Sequence, residues 1–180
     1  MNRIGNNGYN GAYNGIACFG TGKISGTVTF VPLSASSSSR GVVVTFDLKG
    51  FPKANTQYAV HLHEYGDLRK GCESLGGHFN PYHSFHGGPR HDSRHDSRHD
   101  SRHVGDLINN VTTNRFKHVH FSYVDHSLHL SGKYSILGRS VVIHEGVDDL
   151  GLGGFPDSLT TGHAGKRMAC AVIGIMNPSL

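Results

Sequence analysis

Gln57-Tyr58-Ala59-Val60-His61-Leu62-His63-Glu64-Tyr65 is the stretch on which the reading of this sequence turns. From Val60 onward apolar and polar residues alternate with a period of two, the pattern of a β-strand whose successive side chains face opposite ways. Val60 and Leu62 then point into a core, and His61 and His63 project together from the other face. Two imidazoles at i and i+2 on a rigid strand make half of a copper or zinc site. His118-Val119-His120 repeats the spacing, so the pair by itself fits the polar outer face of an ordinary strand equally well.

Outward from this stretch, short β-branched runs bounded by Gly, Ser, Asn and Pro predict further strands over 16–19, 23–32, 42–48, 117–124, 127–131, 140–143 and 169–175. No segment keeps a helical apolar stripe over three turns. So many antiparallel strands must hide their edges, which makes the fold class all-β, a closed sandwich or barrel. Two long segments, 66–114 and 145–167, interrupt the strands, and loops of that length are uncommon unless they carry function.

Composition narrows the function. A chain of 180 residues with 36% hydrophobic residues supports one core. Seventeen Lys and Arg against 13 Asp and Glu leave +4, too little to argue for nucleic acid. No apolar run approaches the roughly 20 residues of a membrane span. The Asn-, Gly- and Tyr-rich head shows no apolar leader, so residues 1–15 are expected to be a flexible tail, with one domain over 16–180 and a cytoplasmic location. Histidine is the outlier at 15 residues. Metal chemistry is the first consequence to pursue.

The histidines of the first pair have company. After them come Cys72, His78-Phe79-Asn80-Pro81, His86-Gly87-Gly88-Pro89 and Arg102-His103-Val104-Gly105-Asp106-Leu107. Later come Val142-Ile143-His144-Glu145, Asp148-Asp149-Leu150-Gly151, Thr161-Gly162-His163-Ala164-Gly165 and Arg167-Met168-Ala169-Cys170. In these blocks, their order and most of their spacings, the chain resembles the copper/zinc superoxide dismutase family from about Ala17 to its C-terminus.

The resemblance implies an eight-stranded Greek-key barrel with two long functional loops, and disproportionation of the superoxide anion by copper cycling between Cu(II) and Cu(I). It implies copper ligands His61, His63, His78 and His144, with zinc ligands His78, His86, His103 and Asp106. His78 would bridge both metals and deliver a proton to the departing peroxide. Arg167 corresponds to the arginine beside the copper, Asp148 to the carboxylate that links a copper-ligand and a zinc-ligand histidine, and Cys72 with Cys170 to the intrasubunit disulfide. Gly66, Gly138, Val172 and Ile175 correspond to the two-fold contact of a homodimer. The need for a copper chaperone stays open. The alternative is a non-catalytic copper/zinc-binding or copper-delivery protein on the same fold, a type that typically lacks copper ligands or the arginine.

The donor types agree. Three imidazoles and a carboxylate suit a closed tetrahedral Zn²⁺ site, and four imidazoles suit copper. Arg167 offers a permanent, forked cation to a small anion. Cys18, on the first strand, is expected to be a small buried hydrophobe, and His83, His118, His120, His126, His129 and His163 to be surface side chains.

Two features depart from the family. HDSR stands at 91–94, 95–98 and 99–102, immediately before His103, as a low-complexity insert over 90–103. His91, His95 and His99 share the local neighbours of His103, but only His103 has Asp106 three residues on. This insert and the head fit a virus-encoded member, for which the location is the host cytoplasm or the virion. In addition, residues 146–165 contain no Lys or Arg, and Leu152 and Thr160 stand where lysine is common, so electrostatic steering of the anion is expected to be weaker.

Overall fold

Strands β1 (Gly15–Phe19), β2 (Ser25–Pro32) and β3 (Val42–Lys49) form an antiparallel meander whose register pairs Val28 with Phe46 and Phe30 with Val44. A computed structural model describes residues 13–20, 22–33, 41–88 and 102–179. The strand predicted over 42–48 is realised as β3, and it alternates, with Val42, Val44, Phe46 and Leu48 buried and the residues between them facing outward. Next come β4 (Gln57–His63), β5 (Arg69–Cys72), a single 3₁₀ turn (Val104–Asp106) and β6 (Asn110–Thr112). β7 (Val119–Asp125), β8 (Ser140–His144), the short helix α1 (Ser158–Thr161) and β9 (Arg167–Ile175) complete the chain.

Eight strands hydrogen-bond in the order β6-β4-β8-β9-β1-β2-β3-β7. β4 does not pair with β3, its predecessor, but crosses to the far side to lie between β6 and β8, which makes the barrel a Greek key. Its two ends, β6 and β7, are joined by residues 113–118, which are pinned back by Phe51 N–H to Lys117 O (3.3 Å) and Thr113 Oγ1 to Lys53 O (3.0 Å). Only a short gap is left in a nearly closed barrel. The core lies inside, with Phe30, Phe46, Leu62, Val141, Ile143 and Ile173 among its buried members.

Three details differ from the sequence reading. The run 127–131 is not a strand; among the described residues it makes only an isolated bridge, His129 to Ser135. Leu128 and Leu130 still enter the core, so a period of two reported burial correctly without a ladder. β5 and β6 were not predicted, since Arg69-Lys70-Gly71-Cys72 and Asn110-Val111-Thr112 have no alternation long enough to read. Cys18 is exposed, because on β1 Ala17 and Phe19 take the inward face. The head through residue 12 and the insert through 101 lie outside the described residues.

Candidate metal centre

β4 and β8 differ from β3 in being buried on both faces: every residue of Tyr58–His63 and of Ser140–His144 is buried. Val60, Leu62, Val141 and Ile143 fill the barrel, and the opposite faces carry His61, His63 and His144 beneath the two long loops. The antiparallel register sets His61 opposite Val142 and His63 opposite Ser140, which brings His144 to the same face one step along. His78, from the long segment after β4, joins them through an isolated bridge between His63 and His78.

One ligand atom from each of His61, His63, His78 and His144 falls within a 4.8 Å group. Their tautomers follow from fixed acceptors. His63 Nδ1–H donates to Gly76 O (2.9 Å), His144 Nδ1–H to Gly165 O (3.0 Å), and His61 Nε2–H to Asp148 Oδ2 (2.6 Å). Carbonyl and carboxylate oxygens can only accept, so His63 Nε2, His144 Nε2 and His61 Nδ1 are left as lone pairs. The Nε2 atoms of His63 and His144 face each other at 3.4 Å. His61 Nδ1 and His78 Nε2 are buried without a hydrogen-bond partner. An unmet buried polar atom costs about 1–3 kcal/mol. A cation among these four nitrogens removes that cost, so the residues fit a metal ion.

The second group is His78, His86, His103 and Asp106. Asp106 Oδ1 lies 3.0 Å from His78 Nδ1, 2.9 Å from His86 Nδ1 and 3.1 Å from His103 Nδ1. His103 Nδ1 lies 3.4 Å from His78 Nδ1. Bonds of about 2.0 Å in a tetrahedron put donors about 3.3 Å apart, so this quartet has the dimensions of a four-coordinate zinc site. Asp106 Oδ2 is occupied separately by the backbone N–H groups of Gly87 and His103, both at 3.1 Å, which leaves Oδ1 for the quartet. The 3₁₀ turn at Val104–Asp106 places Asp106 back over His103, which is how a spacing of three becomes contact. His78 belongs to both groups, through Nδ1 here and Nε2 in the first.

Asp148 stands behind the two groups. Its Oδ2 accepts from His61 and its Oδ1 from His86 Nε2–H (2.9 Å), so one carboxylate orients a ring in each group. Sequence reasoning missed what holds Asp148. Asn110 clamps its backbone, Oδ1 accepting from Asp148 N–H (2.8 Å) and Nδ2 donating to Asp148 O (3.0 Å). Asn109 Nδ2 donates to Asp148 Oδ2 (3.0 Å). The doublet Asn109-Asn110 reads only as turn chemistry before the fold brings residue 148 beside it. Gly162 was likewise invisible. At φ 64°, a Cβ there would stand 2.3 Å from Asp148 Oδ1 and 2.4 Å from His86 Nε2.

Electrostatics keeps the first group neutral. Burial pushes His63 down to about 2 and His144 down to about 4, and it takes His61 and His78 below the ordinary imidazole range. Burial also opposes charge on His86, but hydrogen bonds to Asp106 and Asp148 and their negative charge outweigh it and bring His86 up to about 9. Asp106 and Asp148 are held below the usual carboxylate range, since hydrogen bonds from the surrounding imidazoles overcome burial.

Arg167, at the start of β9, donates from Nη1 to Cys72 O and from Nη2 to Gly76 O. Gly76 O thus receives both Arg167 and His63. Cys72 is disulfide-bonded to Cys170 on the same strand as Arg167, so loop and strand hold the guanidinium together. Its charge depresses His63 and His144 further. The remaining expected surface histidines, His83, His118, His120, His126, His129 and His163, are all exposed. Leu152 is 84% exposed on the second loop. Gly66 is tight within its own chain, where a Cβ would meet Gly138 O at 2.3 Å and Val172 Cγ1 at 3.0 Å, whereas Ile175 is exposed.

An all-β Greek-key barrel carrying two adjoining imidazole-rich clusters that share one ring defines a two-metal protein of one architecture. A sequence model of the family described as copper/zinc superoxide dismutase (SODC) matches residues 24–173, and the chain belongs to that family. The Cu-Zn superoxide dismutase of Yarrowia lipolytica is 48% identical over 156 residues, 87% of this chain and 93% of its own. That of Paramecium bursaria Chlorella virus 1 is 44% identical over 85% of this chain and 74% of its own. A solved structure described as the clock protein EA4 superposes with a TM-score of 0.79 at 40% identity, covering 94% of this chain and 98% of that one.

Proposed function

We propose that this chain is a copper- and zinc-dependent superoxide dismutase in which His61, His63, His78 and His144 hold copper and His78, His86, His103 and Asp106 hold zinc. The observation that carries the assignment is the His78 ring, with Nδ1 among the zinc donors and Nε2 buried without a protein partner among the copper donors. Bound copper supplies the one-electron chemistry: one superoxide is oxidised to O₂, and a second, with one electron and two protons, is reduced to H₂O₂. Arg167 binds the anion beside the first group, its two backbone acceptors fixing the guanidinium so that a permanent cation faces the histidines. His78 Nε2, when it is not a donor to the metal, would take up a proton and pass it to the leaving peroxide, a role suited to a ring whose other nitrogen is fixed. Asp148 keeps the rings of His61 and His86 in their tautomers.

The domain we assign runs from residue 16 to 180, and the strand that pairs β2 and β9 already begins one residue earlier, at Gly15. We assign it a homodimeric state, for which the exposed Ile175 at the end of β9 supplies apolar surface. Among the described residues no helix is long and apolar enough to cross a membrane. We assign a cytoplasmic location in line with the family resemblance, while one relative, from Drosophila melanogaster, is named as extracellular. With no Lys or Arg over 146–165, anion capture should be slower than a steered, diffusion-limited encounter.

Elemental analysis with a superoxide-consumption assay tests the reading. One copper and one zinc per chain with turnover are expected; metal uptake without turnover would overturn the enzyme assignment.

A further inference from the structure

Asn109 is a fully buried polar side chain that helps to hold Asp148 but has no part in the ligand sets or the proton transfer. It stands at φ 62°, three residues after Asp106, in the left-handed region that Asn, Asp and Gly tolerate best. Its backbone ties the site together: Asn109 N–H donates to Asp106 O (2.8 Å), and Asn109 O accepts from Val60 N–H (2.8 Å). Its side chain reaches two more parts, with Nδ2 donating to Gly87 O (3.1 Å) and to Asp148 Oδ2 (3.0 Å). Both partners only accept, so the atom facing them is the amide nitrogen, with both protons used. Asn109 Oδ1 is buried without a hydrogen-bond partner. Glycine would meet the backbone requirement without that penalty, so the amide is present for its donors.

The consequence falls on Asp148. Its Oδ2 accepts from His61 Nε2–H (2.6 Å) and from Asn109; its Oδ1 accepts from His86 Nε2–H (2.9 Å) and from Leu150 N–H (2.7 Å). With both oxygens saturated, the carboxylate cannot rotate without breaking a bond. Asn109 also draws negative charge from the one oxygen that polarises His61. A weaker pull on His61 Nε2–H leaves less charge on Nδ1, the atom turned toward the copper donors.

We propose that Asn109 is a positioning residue that sets, through Asp148, how strongly His61 and His86 donate to their metals. This rests on the ligand assignment under Proposed function. The test compares the full chain, loaded with copper and zinc, with Asn109→Gly and Asn109→Asp. The measurements are the copper reduction potential, zinc affinity by chelator competition, and circular dichroism to verify the fold. Asn109→Gly should fold, lower the copper potential and weaken zinc several-fold. Asn109→Asp turns a carboxylate on Asp148 and should weaken zinc more, toward the 10–100-fold range of lost outer partners. A role confined to backbone conformation predicts no change in Asn109→Gly, since glycine accepts the positive φ at this position. Unchanged potential and zinc affinity in a folded Asn109→Gly would therefore overturn the proposal, whether or not Asn109→Asp folds. Failure of the parent chain to bind both metals would instead overturn the ligand assignment.

Discussion

His61 and His63 flank Leu62 on β4 and are almost wholly buried, at 0% and 2% exposure, whereas His118 and His120 flank Val119 at the start of β7 and both reach solvent. The central residues are equally buried, Leu62 at 0% and Val119 at 1%. Local pattern is therefore the same in both places. What differs is the outer face. Over β4 lie the loop that carries His78, His86 and His103 and the loop that carries Asp148, Gly162 and Gly165. Over the start of β7 the only described acid partner is Asp47 on β3, whose Oδ1 lies 3.7 Å from His120 Nδ1 with both side chains exposed. A strand supplies the spacing of two donors; a second layer of chain supplies the remaining donors and removes water, and only then is a pair of imidazoles a metal site.

Removing one donor from each triplet should separate them most sharply. His63→Ala should abolish copper retention and lower turnover by more than about 100-fold, beyond the usual cost of losing an outer partner, while zinc is kept. His120→Ala should leave turnover and both metals as in the parent. Metal analysis with superoxide consumption reads both, and near-normal turnover of His63→Ala would transfer suspicion to the exposed pair.

A smaller effect is expected from the covering layer itself. Gly162→Ala introduces a Cβ where Asp148 and His86 leave no room and where φ is 64°, so zinc affinity should fall by about 10–100-fold. Gly20→Ala, with open space around the added carbon, is the matched control and should bind zinc normally.

Burial of one triplet also gives the metal-stripped protein its own pH dependence. His63 and His144 sit at about 2 and about 4, below the ordinary 6.5, so the unfolded chain takes up protons first as pH falls. Stability should decline below pH 6.5 by about 1.4 kcal/mol per unit for each such group until its folded value is reached. His86, raised to about 9, acts in the opposite sense: its contribution is complete below 6.5 and is lost as pH rises from there to about 9. Thermal melting of the stripped protein should therefore peak close to pH 6.5.

The smallest effect concerns the other histidines. Deleting two HDSR units should leave zinc content and turnover intact, because loop closure changes only logarithmically with length, by less than about 1 kcal/mol. Loss of zinc would show that His91, His95 or His99, not His103, completes the quartet.

How much could be read without the fold follows from the same contrast. The alternation of Val42, Val44, Phe46 and Leu48, and of Val60 and Leu62, is a property of neighbouring residues, so barrel strands and their inward faces were legible. The motif blocks around His78, His86, His103 and His144 identified the family and through it the disulfide that joins Cys72 to Cys170. Local signals failed where strands were short, as at β5 and β6, and where a strand-like run made no ladder, as at 127–131. Cys18 was misread because its side of β1 depends on Ala17 and Phe19 claiming the interior.

By itself the sequence determined the strand-rich architecture, the order of the donors and the chemistry those donors can support, since side-chain identity and period are written along the chain. The motif blocks around the first pair already singled it out from the second, but tertiary structure alone decided which nitrogen of each ring is free. It also decided that Asn109, Asn110 and Gly162 converge on Asp148. These depend on backbone carbonyls and amides brought together from segments tens of residues apart, and the acceptor facing a ring, unlike the ring itself, is specified by no single stretch of sequence.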